Sequence, residues 1–140
     1  MAAEPGTTIV FACADGCRAL MATAIFAQLA SRQGLSAVAA GSRPVRPSPR
    51  TITDALREVH LELVAPPVAL TTSVLAGATL LVTMDVDLVP EVRGLRRHDW
   101  IVADPIGHGL EMVRAIRAEL GWRVGDLVGR EGWRRGTSEA

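Results

Sequence analysis

The two cysteines of the chain lie in one short segment, Cys13-Ala14-Asp15-Gly16-Cys17-Arg18. The apolar run Thr7–Ala12 before it predicts a short buried β-strand. Apolar residues after it recur at i, i+3, i+4 and i+7, which predicts a helix whose apolar face comprises Ala22, Ile25, Phe26 and Leu29. A tight loop between a strand and a helix directs unpaired amide N–H groups at one point, where they favour an anion.

Two residue types in this segment suit chemistry on an oxyanion. Cys13 at the strand end would lie in a positive field that favours the thiolate, which is a nucleophile. Arg18 offers a planar fork of donors that matches a phosphate-like group. The alternatives are that Cys13 is a small buried hydrophobe and that Arg18 is a solvated residue of the first helical turn. The predicted phosphate-binding residues are Ala14, Asp15, Gly16, Cys17 and Arg18.

This segment resembles the signature of the low-molecular-weight protein tyrosine phosphatases and of the arsenate reductases that share their fold. That signature is a strand, then Cys-x5-Arg-[Ser/Thr], then a helix. The resemblance continues in the right order at Val38–Ser42, Leu81–Asp85 and Ile101–Gly107. It implies one α/β domain over residues 1–140, with a four-stranded parallel sheet flanked by helices on both faces. The alternation of predicted strands and helices favours the same architecture.

The resemblance also implies roles for individual residues. Cys13 would be the nucleophile, and Arg18 with the loop amides would hold the oxyanion. Asp104, in the Asp104-Pro105 pair, would act as general acid and then as general base. The alternative for Asp104 is a simple turn residue, since Asp-Pro often starts turns. A cysteine beside the arginine, here Cys17, can form a reversible disulfide with the nucleophile in such proteins.

The segment departs from the signature in several ways. Four residues, not five, separate Cys13 from Arg18, and Ala19 stands where the signature has a hydroxyl. The chain contains no asparagine, although the family's loop has one, and Asp15 would oppose a bound dianion unless it points outward. Counting back from Arg18 would make Ala12 the nucleophile position, but a rigid strand and a deletion in the loop favour Cys13. The prediction is a cysteine-dependent phosphatase with reduced activity.

Two other functions stay open. One is a non-catalytic relative that binds an oxyanion, a phosphorylated small molecule or a phosphorylated protein. The other is an arsenate reductase or a Cys13–Cys17 redox switch, although the cysteines that thioredoxin-linked arsenate reductases carry near residues 80–90 are absent. Ile106-Gly107 follows Asp104-Pro105 where phosphotyrosine-specific relatives place aromatic rings, so phosphotyrosine is expected to be a poor substrate.

Composition narrows the class of protein. A length of 140 residues with 49% apolar residues suits one globular domain. The net charge of zero argues against nucleic acid or a membrane surface as a partner, and no apolar run approaches the ~20 residues of a membrane span. The N-terminus lacks the features of a signal peptide, so a cytoplasmic protein is expected, and no spacing suggests a metal or cofactor site. All 15 basic residues are arginine, which favours a GC-rich bacterial source; the oligomeric state stays open.

The remaining elements are predicted from periodicity and turn residues. Further strands are expected at Ser36–Ala40, Thr79–Met84 and Trp100–Ala103. Further helices are expected after Ser48-Pro49, at Thr71–Ala76, at Asp85–Val92, and around Val113, Ile116 and Leu120.

Overall fold

A computed structural model of the chain describes residues 6–30, 34–45, 48–63, 65–86 and 89–134. Its strands are β1 (Thr7–Cys13), β2 (Leu35–Gly41), β3 (Val68–Ala69), β4 (Leu80–Met84) and β5 (Arg96–Trp100). Its helices are α1 (Cys17–Leu29), α2 (Arg50–Glu58), α3 (Thr72–Ala76) and α4 (Leu110–Glu131). The alternation of strands and helices agrees with the expected α/β class.

The strands form one parallel sheet in the order β3-β2-β1-β4-β5. The sheet therefore has five strands where four were expected. The additional strand, β3, contains two residues, too few to produce a recognisable pattern in the sequence. In the centre of the sheet, Cys13 at the end of β1 lies beside Gly41 of β2 and Met84 of β4.

The sheet carries helices on both faces, as expected. Alternate residues of β1 point to opposite faces, so Phe11 and Cys13 contribute to one core cluster, and Val10 and Ala12 to another. The first cluster is completed by the long helices α1, α2 and α4, whereas the second is covered by the short α3 and neighbouring loops.

Two elements differ from the sequence prediction. The last strand is Arg96–Trp100, not Trp100–Ala103, because an edge strand with exposed polar side chains lacks the apolar signature that was sought. The prediction of a helix over Asp85–Val92 is wrong for the described part of that range, residues 85–86 and 89–92. Asp85 adopts φ 61°, in the left-handed region, and residues 89–92 are irregular.

The last helix is longer than its first three apolar residues indicated. It continues to Glu131 because Val124, Leu127 and Val128 extend the buried stripe into the core. In the described residues, neither this helix nor any other is long and apolar enough to cross a membrane.

Candidate active site

The loop between β1 and α1 is shorter than its sequence indicated. Cys13 is still part of β1, and α1 begins at Cys17, so the connection consists of Ala14, Asp15 and Gly16. Ala12 is buried in the cluster on the other face of the sheet, away from Cys13. The strand thus presents Cys13, and not Ala12, on the α1 face at its carboxyl end.

The sulfur of Cys13 lies against the first turn of α1. The backbone N–H groups of Arg18 and Ala19 hydrogen bond to it. Cys13 is fully buried, and this burial raises the pKa of its thiol, as does the charge of Asp15. The two amides and the Arg18 charge act in the opposite direction. In this state the positive end of the helix does not outweigh the cost of desolvating the thiolate.

The Asp15 side chain points into the loop. Its Oδ1 atom accepts the backbone N–H of Cys17 at 2.9 Å and lies 3.6 Å from the Cys13 sulfur, which donates to it. Burial, aided by the negative charge of Asp15, raises the pKa of Cys17 to about 12. The outward orientation that would have separated this carboxylate from a bound dianion is therefore not the one observed.

Arg18 is almost completely buried, with 2% of its surface exposed. Its Nη1 atom donates to the carbonyl oxygen of Val102 at 2.5 Å and lies 3.5 Å from Oδ2 of Asp85. Its Nε atom is buried and has no hydrogen-bond partner in the described part of the chain. Since buried donors are almost always satisfied, this atom is a candidate to bind a ligand.

Hydrogen bonds from the segment after β2 fix the loop from outside. The amide of Arg43 donates to the Ala14 carbonyl at 2.8 Å, and the amide of Val45 donates to the Asp15 carbonyl at 3.0 Å. The Ser42 hydroxyl also donates to Ala14, at 3.4 Å. These contacts give the loop a defined shape in a chain that lacks the loop asparagine.

Two glycines allow the backbone of the loop to pack closely. Gly16 adopts φ 87°, and a Cβ atom placed there would lie 2.6 Å from Cβ of Pro67. At Gly41, a Cβ atom would approach backbone atoms of Cys13, Ala14 and Gly16 at 2.9 to 3.0 Å. Side chains at either position would displace the loop.

Asp104 lies in an exposed turn after β5. Its Oδ1 atom accepts a hydrogen bond from the amide of Ile106 at 3.0 Å. This contact is the one expected if Asp104 is a turn residue, which was the alternative to a general acid. The negative charge of Asp104 also contributes, as the smallest of several causes, to the raised pKa of Cys17. The structure thus brings Cys13, Asp15, Cys17 and Arg18 together, whereas the one hydrogen bond of the Asp104 carboxylate in the described residues is the turn contact with Ile106.

A family model for low molecular weight phosphotyrosine protein phosphatases matches residues 8–132. The chain belongs to this family. The match includes the loop, Arg18 and Asp104. A comparison with curated proteins found no match.

Solved structures of family-like proteins share the fold. An arsenate reductase from Archaeoglobus fulgidus DSM 4304 has a TM-score of 0.74 at 24% identity, covering 86% of this chain and 98% of that chain. The YwlE arginine phosphatase from Geobacillus stearothermophilus has a TM-score of 0.73 at 23% identity, covering 90% and 93%. A low molecular weight protein tyrosine phosphatase from T. tengcongensis has a TM-score of 0.74 at 21% identity, covering 89% and 99%.

Sequence reasoning missed several contacts of this family member's site. Asp85 and the Val102 carbonyl contact Arg18, and Ser42 contacts the loop, but none of the three was predicted to contribute to the site. Asp85 had a usable signal, because it directly follows a buried parallel strand, where sites of such sheets lie. The Val102 carbonyl had none, since a backbone acceptor leaves no mark on residue type. No group of three His, Cys, Asp or Glu residues in the described ranges is arranged to hold a metal ion.

Proposed function

We propose that this protein hydrolyses phosphoryl esters through a covalent intermediate on Cys13, with low intrinsic activity. The observation that carries the proposal is the placement of the Cys13 sulfur against the amides of Arg18 and Ala19, beside the buried Arg18 side chain. Membership of a phosphatase family supports cysteine-dependent chemistry in general. The phosphoryl group is the natural ligand for such a combination of amides and guanidinium.

In the proposed reaction, the Cys13 thiolate attacks phosphorus. The S–P bond forms while the P–O bond to the leaving group breaks, and Asp104 gives its proton to the leaving oxygen. Asp104 then removes a proton from water, which attacks the phosphocysteine and releases phosphate and the thiolate. Arg18 and the loop amides stabilise the charge that develops on the phosphoryl oxygens in both steps.

Three features of the loop support low activity. The loop has one amide fewer than the family signature, and removing one oxyanion donor typically costs ~10²–10³ in rate. Ala19 provides no hydroxyl to stabilise the thiolate, and the pKa of Cys13 is raised by burial and by Asp15. Fewer enzyme molecules therefore carry the reactive thiolate at neutral pH.

The test is hydrolysis of p-nitrophenyl phosphate by highly purified protein. We expect slow turnover that Cys13→Ser abolishes, and that Asp104→Asn lowers most strongly for esters with poor leaving groups. Turnover that survives in Cys13→Ser would contradict the proposal. If Asp104→Asn hydrolysed esters with good and with poor leaving groups as fast as the native protein does, Asp104 would not be the general acid.

The proposed substrate is not phosphotyrosine. The turn after Asp104-Pro105 contains Ile106, which is 44% exposed, and Gly107, with φ 82°, and so provides no aromatic ring. We expect kcat/KM for a phosphotyrosine peptide to be no higher than for a small alkyl phosphate, after correction for leaving-group pKa. A clear preference for the phosphotyrosine peptide would contradict this part of the proposal.

A second candidate is a non-catalytic protein that binds an oxyanion or a phosphorylated partner. The contact of Asp15 with both Cys17 and the Cys13 thiol favours it, because the nucleophile is hydrogen bonded as a neutral thiol. Under this alternative, inorganic phosphate binds equally well to the native protein and to Cys13→Ser, and no ester is hydrolysed above background.

A third candidate is arsenate reduction or a redox switch based on Cys13 and Cys17. Both thiols are free and buried, and the Cys13 sulfur and the Cys17 amide both contact Oδ1 of Asp15, so the two cysteines adjoin the same carboxylate oxygen. Loss of two hydrogens in the intact mass after mild oxidation, with Cys13 and Cys17 in one cross-linked peptide, would support it. Turnover of arsenate with a small-molecule thiol would distinguish reduction from a simple switch.

A further inference from the structure

The Asp15 carboxylate occupies a position where an anion held by this loop would lie. We infer that Asp15 is an internal occupant of the anion site, and that an external oxyanion binds only by displacing it. This inference rests on the proposed anion-binding function of the loop. It makes Asp15 a regulator of ligand access, and not a ligand-binding residue as the sequence suggested.

Two hydrogen-bond donors of the loop converge on one oxygen atom of Asp15. Asp15 Oδ1 accepts the Cys17 amide at 2.9 Å and the Cys13 thiol at 3.6 Å. Cys17 is the first residue of α1, so its N–H belongs to the set that a helix leaves unpaired and that anions commonly occupy. An oxyanion that contacts this N–H in front of Cys13 would overlap the carboxylate.

Asp15 does not bind the buried Nε donor of Arg18. The Nε atom of buried Arg18 has no partner in the described residues, although the Arg18 charge acts on Cys13. Asp15 therefore satisfies only part of the loop. A tetrahedral anion, with oxygens directed to several sides, is suited to take the Cys17 amide and the Arg18 donor together.

The charges around the loop also disfavour a dianion while Asp15 is in place. Arg18 is already paired with Asp85 across 3.5 Å, and Asp104 adds a negative charge that acts on Cys17. The segment after β2 contributes neutral backbone donors, and the Arg43 side chain is exposed. With Asp15 in place, its carboxylate lies directly at the Cys17 amide before a ligand arrives, so a dianion meets repulsion there that a neutral side chain at residue 15 would not cause.

The test compares native protein with Asp15→Asn, which keeps an oxygen acceptor for the Cys17 amide but removes the charge. The probe is inorganic phosphate, and the dissociation constant is measured by isothermal titration calorimetry. We expect Asp15→Asn to bind phosphate at least about tenfold more tightly than the native protein. Glu62→Gln is the matched control, because it removes an exposed carboxylate after α2, and its affinity should equal that of the native protein.

A second measurement uses only the native protein, so it does not depend on whether the Asp15→Asn variant folds. In a sample labelled with ¹⁵N and ¹³C, saturating phosphate should shift the Cys17 amide resonance and the Asp15 carboxyl carbon resonance, because phosphate replaces the Asp15 carboxylate as the acceptor of the Cys17 N–H. Phosphate that binds while both resonances stay unchanged would overturn the inference.

The outcomes separate this inference from the proposed function. Equal phosphate affinity of native protein and Asp15→Asn would overturn the inference and leave an anion-binding loop. Weaker binding by a folded Asp15→Asn would also overturn it, because Asp15 would then support the ligand site. Absence of phosphate binding in both proteins would overturn the anion-binding function and the inference with it.

Discussion

Arg18 Nη1 lies 3.5 Å from Oδ2 of Asp85, and the two residues join the first turn of α1 to the end of β4. Arg18 is 2% exposed and Asp85 is 66% exposed, so the pair places a buried guanidinium beside a carboxylate that water still reaches. The backbone of Asp85 has φ 61°, a conformation that Asp and Asn adopt more readily than most residues. The pair therefore depends on both the charge and the backbone tolerance of Asp85.

Asp85→Asn should lower the free energy of unfolding by about 1 kcal/mol. Asparagine tolerates the left-handed backbone but gives the buried Arg18 no counter-charge. The loss should stay below the 3–5 kcal/mol typical of a fully buried pair, because Asp85 is exposed. Urea unfolding measures the change. The control is Asp126→Asn, which removes an exposed ion pair with Arg130 on α4 and should lower the free energy of unfolding by less. Equal losses of stability in the two variants would show that the burial of Arg18 does not strengthen its pair with Asp85.

Gly16→Ala should destabilise the protein and distort the loop. The new Cβ atom would lie 2.6 Å from Pro67 Cβ and would also have to tolerate φ 87°. Gly34→Ala is a close control, since Gly34 has φ 88° but no heavy atom within 4 Å of the added Cβ atom. We expect about 1 kcal/mol of loss for Gly34→Ala from backbone strain, and at least about twice that for Gly16→Ala. Similar midpoints of thermal unfolding for the two variants would contradict a steric role of Pro67.

The central part of this fold was predictable from sequence, and its edges were not. β1 and β4 are buried on both faces, so their residues form continuous apolar runs that identify them. β5 lies at the edge of the sheet, and Arg96 to Asp99 are exposed there, so its sequence resembles a loop. β3 has two residues and takes its strand conformation from pairing with Ala40 and Gly41.

The site divides in a similar way. Cys13, Arg18 and Asp104 were predicted because their types and order resemble a family signature, although Cys13 and Arg18 lie one residue closer together than that signature requires. The inward orientation of Asp15 was not predictable, since it depends on where the Cys17 amide and the Cys13 sulfur lie in three dimensions. The sequence shows a carboxylate in the loop but not the direction in which it points.

Glu58 should make stability depend on acid pH. Hydrogen bonds from Arg114, which has the larger effect, and from Arg117 lower the pKa of Glu58 from 4.5 to about 2. Because the folded-state pKa is the lower one, the stabilisation is present above about pH 4.5 and is lost as pH falls towards 2.

Urea unfolding of native protein and Glu58→Gln at about pH 5 and about pH 3 checks this expectation. The stability difference between the two proteins should be larger at the higher pH and should shrink in high salt. Glu62→Gln controls for the change in net charge. A difference that is independent of pH would mean that the arginine contacts do not hold in solution.

Ala19→Ser should lower the pKa of Cys13. The amides of Ala19 and Arg18 already lower the pKa of the Cys13 thiol, and we expect a hydroxyl on residue 19 to add a further donor to the thiolate. A hydrogen bond to a charged group is worth about 1.5–3 kcal/mol, which corresponds to about one to two pKa units.

The measurement is the pH dependence of Cys13 alkylation by iodoacetamide in a Cys17→Ser background, so that a single thiol titrates. Ala22→Ser is the matched control, because Ala22 is equally buried on the same helix and contributes to the core. A lower pKa in Ala19→Ser alone would identify the missing hydroxyl as one cause of low activity. An unchanged pKa, or the same shift in Ala22→Ser, would show that the hydroxyl does not reach the sulfur in this shortened loop.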